Sequence, residues 1–140
     1  MAKWIPILGL SEWHITVEMS RTEPDADEWA VTHVLGNYRR ARIVFQEDGD
    51  APSIMGKHVV EMTVIHELMH VVLSEIDHAT TSAVTVLAGK ESAVSAIALK
   101  AHDAAHERVA DALSISLYRA FGERSRMESN GQHPEPQPTP

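Results

Sequence analysis

From Glu12 to Met19 the chain alternates, with Trp13, Ile15, Val17 and Met19 on one side and Glu12, His14, Thr16 and Glu18 on the other. A period of two is that of a half-buried strand, so a first strand is expected here. Two further strand-like runs, WAVTHVL and YRRARIVFQ, are separated by Gly36 and Asn37 alone. Two turn-formers between such runs predict a tight hairpin. A competing reading makes Asp25 to Leu35 a short helix, because DADE suits a first helical turn. Either way, a small sheet comes first.

Residues 48–56, DGDAPSIMG, form a loop rich in breakers, and beyond it the period changes. A helix is expected from about Lys57 to Glu75. At about 100° per residue, Val59, Met62, Val64, Ile65, Leu68, Met69, Val71, Val72 and Leu73 point almost all round, leaving Glu61 and Glu75 as the polar remainder. Such a helix is a central, buried one. Residues 77–100 are rich in Ala, Ser and Thr and read as partly helical, with Gly89 as the interruption. A second clear helix is expected from about Ala101 to Phe121, its apolar stripe made of Val109, Ala110, Leu113, Leu117 and Phe121, with Gly122 at a C-cap position. The resulting class is α+β: a short, mainly antiparallel sheet, then a buried helix and a second long helix. Residues 1–121 are read as one domain. The stretch 122–140, with its four alternating prolines, is read as a disordered tail.

Composition narrows the function. A chain of 140 residues can build one real core, and with two Phe, two Tyr and three Trp that core should be aliphatic. Net charge is -8, with 20 acidic against 12 basic residues. A phosphate-tracking surface needs the opposite balance, so no nucleic-acid partner is expected. The absence of cysteine excludes disulfides, thiolate zinc sites and cysteine nucleophiles. MAKWIPILGL is interrupted by Pro6 and Gly9 and followed by SEWH, not by a small-residue cleavage site. It is therefore not read as a signal peptide, and a cytoplasmic location is expected. Lys90 and Glu91 split the apolar region from Ala79 to Leu99, so no membrane span or membrane partner is expected.

The chemistry lies in HELMH, residues 66–70. Placing His66, Glu67 and His70 among valines, leucines and methionines costs about several kcal/mol unless each finds a partner. On a helix, His66 and His70 stand one turn apart on the same face and can direct imidazole nitrogens at one point, half of a tetrahedral zinc site. Glu67 lies about 100° further round, placed to reach a zinc-bound water as general base. Extension to H-E-x-x-H-x-x-G-x-x-H fails, since Leu73 and Ile76 stand at the glycine and histidine positions. A third ligand must come from elsewhere. AHERVAD offers Glu107 as ligand, with Asp111 one turn on as the acceptor that holds an imidazole N–H. His106 is the other claimant, although a core histidine bonded to a carbonyl is the plainer reading of it. Elsewhere, DGDAPS lacks the alternating ligands of a calcium loop, Arg39, Arg40 and Arg42 are expected to pair with local acids, and His14, His33, His58, His78 and His133 read as packing or surface residues.

HELMH followed by Glu107-x-x-x-Asp111 resembles the gluzincins, the thermolysin-like metallopeptidases. In its small size and order of elements the chain is most similar to the minimal members called minigluzincins and to short phage-encoded relatives. The resemblance covers roughly residues 10–121, and its specific part is those two motifs. It implies zinc held by His66, His70 and Glu107, water activation by Glu67, and a ligand histidine oriented by Asp111. It further implies a peptide or protein substrate lying extended along an edge strand, a role that falls to the strand containing Arg42 to Gln46. The family's additional Tyr or His at the oxyanion has only Tyr118 and His102 to represent it, and the helical subdomain of larger relatives is missing. Two other functions fit the same residues: a non-catalytic, zinc-stabilised peptide-binding module, and a protease dedicated to one regulatory partner such as a phage repressor.

Overall fold

The structure, a computed structural model, describes residues 1–23, 28–47 and 57–122. The expected tail beyond Gly122, the breaker-rich loop and most of the acidic DADE stretch lie outside the described residues. A four-residue helix, α1 (Trp4–Ile7), is followed by the strands β1 (His14–Ser20), β2 (Ala30–Leu35) and β3 (Arg40–Gln46). Two long helices, α2 (Lys57–Ala88) and α3 (Ala93–Leu117), come next, and a π-helical turn closes the described chain at Tyr118–Gly122. The class is α+β, as the alternation and the two helical patterns require.

The sheet order is β1-β3-β2. The hairpin is present, with β2 antiparallel to β3 from Ala30↔Phe45 to Leu35↔Arg40, and the helical reading of residues 30–35 is excluded. Its turn is longer than Gly36 and Asn37: a 3-10 turn over Gly36–Tyr38 leads to Arg39, which takes the left-handed conformation at φ 48°. Two reversals of direction bring β3 back parallel to β1, in register from His14↔Arg40 to Ser20↔Gln46. Because β3 is therefore central, with both edges paired, it cannot offer an edge to a ligand. That edge belongs to β2. Two of the three arginines pair with acids: Arg42 Nε lies 2.8 Å from Glu18 and its Nη1 3.1 Å from Glu23, and Arg39 meets Glu12.

The alternation of β1 holds only near its start. Trp13 and Ile15 pack on the core, whereas Val17 and Met19 are exposed. The core joins Ile43 and Ala41 of the sheet to Ile65, Leu68, Met69 and Val71 of α2 and Ala110 of α3. It is aliphatic except for Trp4, which is 1% exposed and donates its indole N–H to Glu61 at 3.0 Å. Thus the N-terminal segment is a buttress of α2, which its brief apolar run did not announce.

Both helices extend further towards the turn that joins them than expected, while α3 gives way to the π-helical turn after Leu117. Gly89, at φ 80°, does interrupt the Ala/Ser/Thr-rich stretch, but helix continues on either side of it, to Ala88 and from Ala93. Ser92 caps α3 by accepting the Ser95 N–H at 3.0 Å, while Ser95, itself buried, donates to the Ser92 carbonyl at 2.9 Å. α2 is less buried than its all-round apolarity implies, since Val59, Val60 and Val72 are exposed. The α3 stripe likewise reaches the core only through Ala110 and Leu117, leaving Val109, Leu113 and Phe121 exposed. Gly122 serves space and not a left-handed cap, because a Cβ there would stand 2.7 Å from the Tyr118 ring. No helix among the described residues is long and apolar enough to cross a membrane.

Candidate metal centre

α2 carries His66, Glu67 and His70 through its middle, where Ile65, Leu68, Met69 and Val71 fix the rotation of the helix by burial on the other sides. α3 crosses beside them and brings Glu107 and Asp111. The nearest separations are 3.0 Å between the two Nε2 atoms, 3.4 Å from His66 Nε2 to Glu107 Oε2 and 3.7 Å from His70 Nε2 to Glu107 Oε1. Ligands at about 2.0–2.1 Å from a tetrahedral zinc ion stand about 3.3 Å apart, so this His₂Glu donor set fits the metal. Among the described residues, His66, His70 and Glu107 form the one such group, their ligand atoms all within 4.8 Å of each other. His106 is not in it.

The second ring nitrogen of His66, Nδ1, lies 3.0 Å from Asp111 Oδ1. That contact fixes which nitrogen carries the proton and leaves Nε2 free to ligate. Burial pushes the His70 imidazole below its usual range, with the Glu107 carboxylate opposing. The neutral ring that results is the form a metal requires. Glu107 and Asp111 are the exposed half of the centre, with side chains 57% and 66% accessible against 20% and 17% for the histidines.

Glu67 faces the same opening but stays outside the ligand group. It is buried, and the Thr32 hydroxyl donates to its Oε2 at 2.7 Å. Burial pushes its carboxyl above the ordinary carboxylate range, against the opposing pull of Thr32 and His66. A raised carboxyl beside a metal site is suited to taking a proton and giving it back. The opening is a cleft of about 660 Å³ between β2 and the two helices, lined by Trp29 to Thr32 on one wall and by His66, Glu67, His70 and Glu107 on the other.

His66, Glu67, His70, Glu107 and Asp111 are brought together, and Thr32, Asp77 and His106 stand beside them. Thr32 comes from β2, a strand with no motif of its own. Asp77 lines the cleft and holds His102 at 2.8 Å across the helix pair. His106 packs its ring on His70 with centroids 5.2 Å apart, and its buried Nε2 has no hydrogen-bond partner among the described residues, where a carbonyl-bonded histidine is expected. Neither residue considered for an oxyanion role takes that place: Tyr118 hydrogen-bonds His58, and His102 is held by Asp77. No protein-family model, curated protein or solved structure matches this chain.

Proposed function

We propose that the chain is a zinc-dependent metallopeptidase of the gluzincin type, acting on an extended peptide or protein segment. The observation that carries this reading is the convergence of His66, His70 and Glu107 with Glu67 beside them and outside their group. A purely structural metal has no use for a buried carboxyl next to its ligands. When bound, zinc supplies Lewis acidity, which acidifies water towards neutral pH and steadies negative charge on a carbonyl oxygen.

The remaining chemistry belongs to the chain. His66, His70 and Glu107 hold the ion, and Asp111 keeps His66 in the ligating tautomer. Glu67 takes the proton of the attacking water and delivers it to the leaving amine, its raised affinity for protons making the uptake favourable. Thr32 fixes the carboxyl at one oxygen, so that the other is free to work. The unpaired edge of β2, which borders the cleft along Ala30 to Thr32, offers backbone N–H and C=O groups to a substrate strand. Because Glu67 and the β2 edge meet at Thr32, the scissile bond is brought to the base by the strand that holds the peptide.

Metal analysis and cleavage of a mixed peptide library test the reading together. Wild-type protein is expected to hold near-stoichiometric zinc and to cleave. Glu67→Gln should keep the metal and lose activity by about a hundredfold or more, and Glu107→Ala should hold less metal than wild type. Full zinc occupancy without the Glu107 carboxylate refutes the ligand assignment, and unchanged cleavage by the Gln variant refutes the base.

A further inference from the structure

Where β2 runs into its turn, a second cavity of about 470 Å³ lies against α2. It shares Val34, Ser74 and Asp77 with the cleft of the metal centre, so the two adjoin along β2. The rest of its wall is Leu35, Gly36, Asn37 and Tyr38 from the hairpin, with Glu75 and His78 from α2. These remaining residues have no part in the chemistry proposed above.

Charge sets this end of the groove apart from an ordinary surface hollow. Six acids line the two cavities together, Glu28, Glu67, Glu75, Asp77, Glu107 and Asp111, and no Lys or Arg stands among the lining residues. A divalent ion at the metal centre offsets two of those charges, and Asp77 is paired with His102 at 2.8 Å. Glu75 has no such partner. It makes no ion pair among the described residues, and Arg39, next to Tyr38 in the chain, is taken up by Glu12. Tyr38 is a second, independent feature: its side chain lines the same cavity, is 75% exposed, and makes no hydrogen bond or ring contact among the described residues. A free aromatic ring and a free carboxylate in one hollow are the combination that recognises a cation, through the ring quadrupole and through charge.

We propose that this cavity is a specificity pocket for a lysine or arginine side chain of the substrate, a reading that rests on the proposed cleavage of a peptide held along the β2 edge. Strand geometry says which side chain enters it. Thr32 faces α2, where it bonds Glu67, and Val34, the next residue on that face, packs on the core. A peptide paired on β2 repeats the alternation, so the side chains opposite Thr32 and opposite Val34 both face α2. The first sits at the base. The second, two residues along the peptide, stands where the two cavities meet, and the long stem of Lys or Arg carries its charge on towards Glu75 and Tyr38.

The direction of the peptide decides on which side of the cut that residue lies. Antiparallel pairing with β2 is the more stable kind per residue. Because β2 runs from Thr32 towards Val34 and the turn, an antiparallel peptide brings its N-terminal part to the second cavity. The basic residue therefore precedes the scissile bond.

Mass spectrometry of the cuts that zinc-loaded wild type makes in a mixed peptide library tests the proposal. Lys or Arg is expected at a single position on the N-terminal side of the cut. Peptides with Lys or Gln at that position should differ by about five- to tenfold in kcat/KM, chiefly through KM. E75Q and Y38A should each shrink that ratio, and E75K should turn the preference towards Glu, with zinc content kept and folding verified by circular dichroism. No preference for basic residues, or one that survives both E75Q and Y38A, overturns the proposal, and a preference on the C-terminal side overturns the strand direction. Fluorescence anisotropy of the same labelled Lys and Gln peptides on E67Q protein separates this result from the fate of the cleavage reading. Tighter binding of the Lys peptide, lost in E67Q/E75Q, upholds the pocket even if wild type cleaves nothing, whereas equal binding of the two peptides overturns it even if wild type cleaves.

Discussion

Glu67 is held at 5% exposure, with the Thr32 hydroxyl on one oxygen, and its raised proton affinity has a measurable sign. Below the ordinary carboxyl value of 4.5 the residue is protonated folded and unfolded and costs nothing. As pH rises from there through the raised folded value, the unfolded chain releases its proton first and the folded state loses stability. In chelator-treated protein, E67Q should therefore match wild type in acid and melt higher near neutral pH. A gap that stays constant across the range would show that burial of the charge is not the cause. Thr32→Val removes the hydrogen bond without touching a ligand. It should retain zinc and lower kcat about tenfold, the equivalent of one hydrogen bond, and equal losses of metal and rate would mean that Thr32 acts on the centre as a whole. His66, Glu67 and His70 were legible because one helix turn suffices to bring them together. Glu107 and Asp111 required only that a second helix dock on the first. Thr32 was not legible: its partner is 35 residues away, and nothing in a strand alternation says which threonine will face a carboxyl.

At the scale of elements, the turns carry the conformational cost. Gly89, at φ 80°, has nothing within 4 Å of where a Cβ would stand, so Gly89→Ala isolates the backbone term and should destabilise the protein by about 1–2 kcal/mol. Ser92→Ala removes the α3 cap and should cost about 1 kcal/mol. Arg39 is the converse case, a non-glycine residue in the left-handed region. Arg39→Gly should raise the melting temperature despite loss of the exposed contact with Glu12, since such pairs contribute about 0–1 kcal/mol and the strained φ costs more. Calorimetry of the three variants decides each sign. The chain's punctuation was readable at Gly89 because it is local. Helix length was not: residues 77–88 and 93–100 combine modest apolarity with Ala, Ser and Thr, and they become helical through the partner helix. Strand direction was likewise invisible in the alternation, because a period of two is the same for β1 whether it runs with β3 or against it.

For the whole molecule, the proposed metal centre lies between α2 and α3, with His66 and His70 on the first and Glu107 on the second. Of the two helices, α3 supplies only Ala110 to the buried apolar core, with Leu117 partly buried against it, and Glu107, Asp111 and the imidazoles they face add a second link between the helices at the level of the cleft. A ligand that binds the folded state alone stabilises it by about 2.7 kcal/mol at a hundred times its dissociation constant. For a chain of 140 residues, that corresponds to roughly 10 °C in melting temperature. Chelation should therefore lower the melting temperature of wild type by about that amount and leave H66A/H70A unmoved. E107A should fall between them, because its carboxylate is more than half exposed and water can take its place on the ion. The position of the centre between the helices also predicts where the loss appears. Hydrogen exchange in the chelated protein should speed up first along Glu107 to Leu117, while Ile65 to Val71, locked between sheet and N-terminal buttress, keep their protection. Uniform acceleration of both helices would mean that the metal stabilises the fold globally and is not the hinge pin between its two halves.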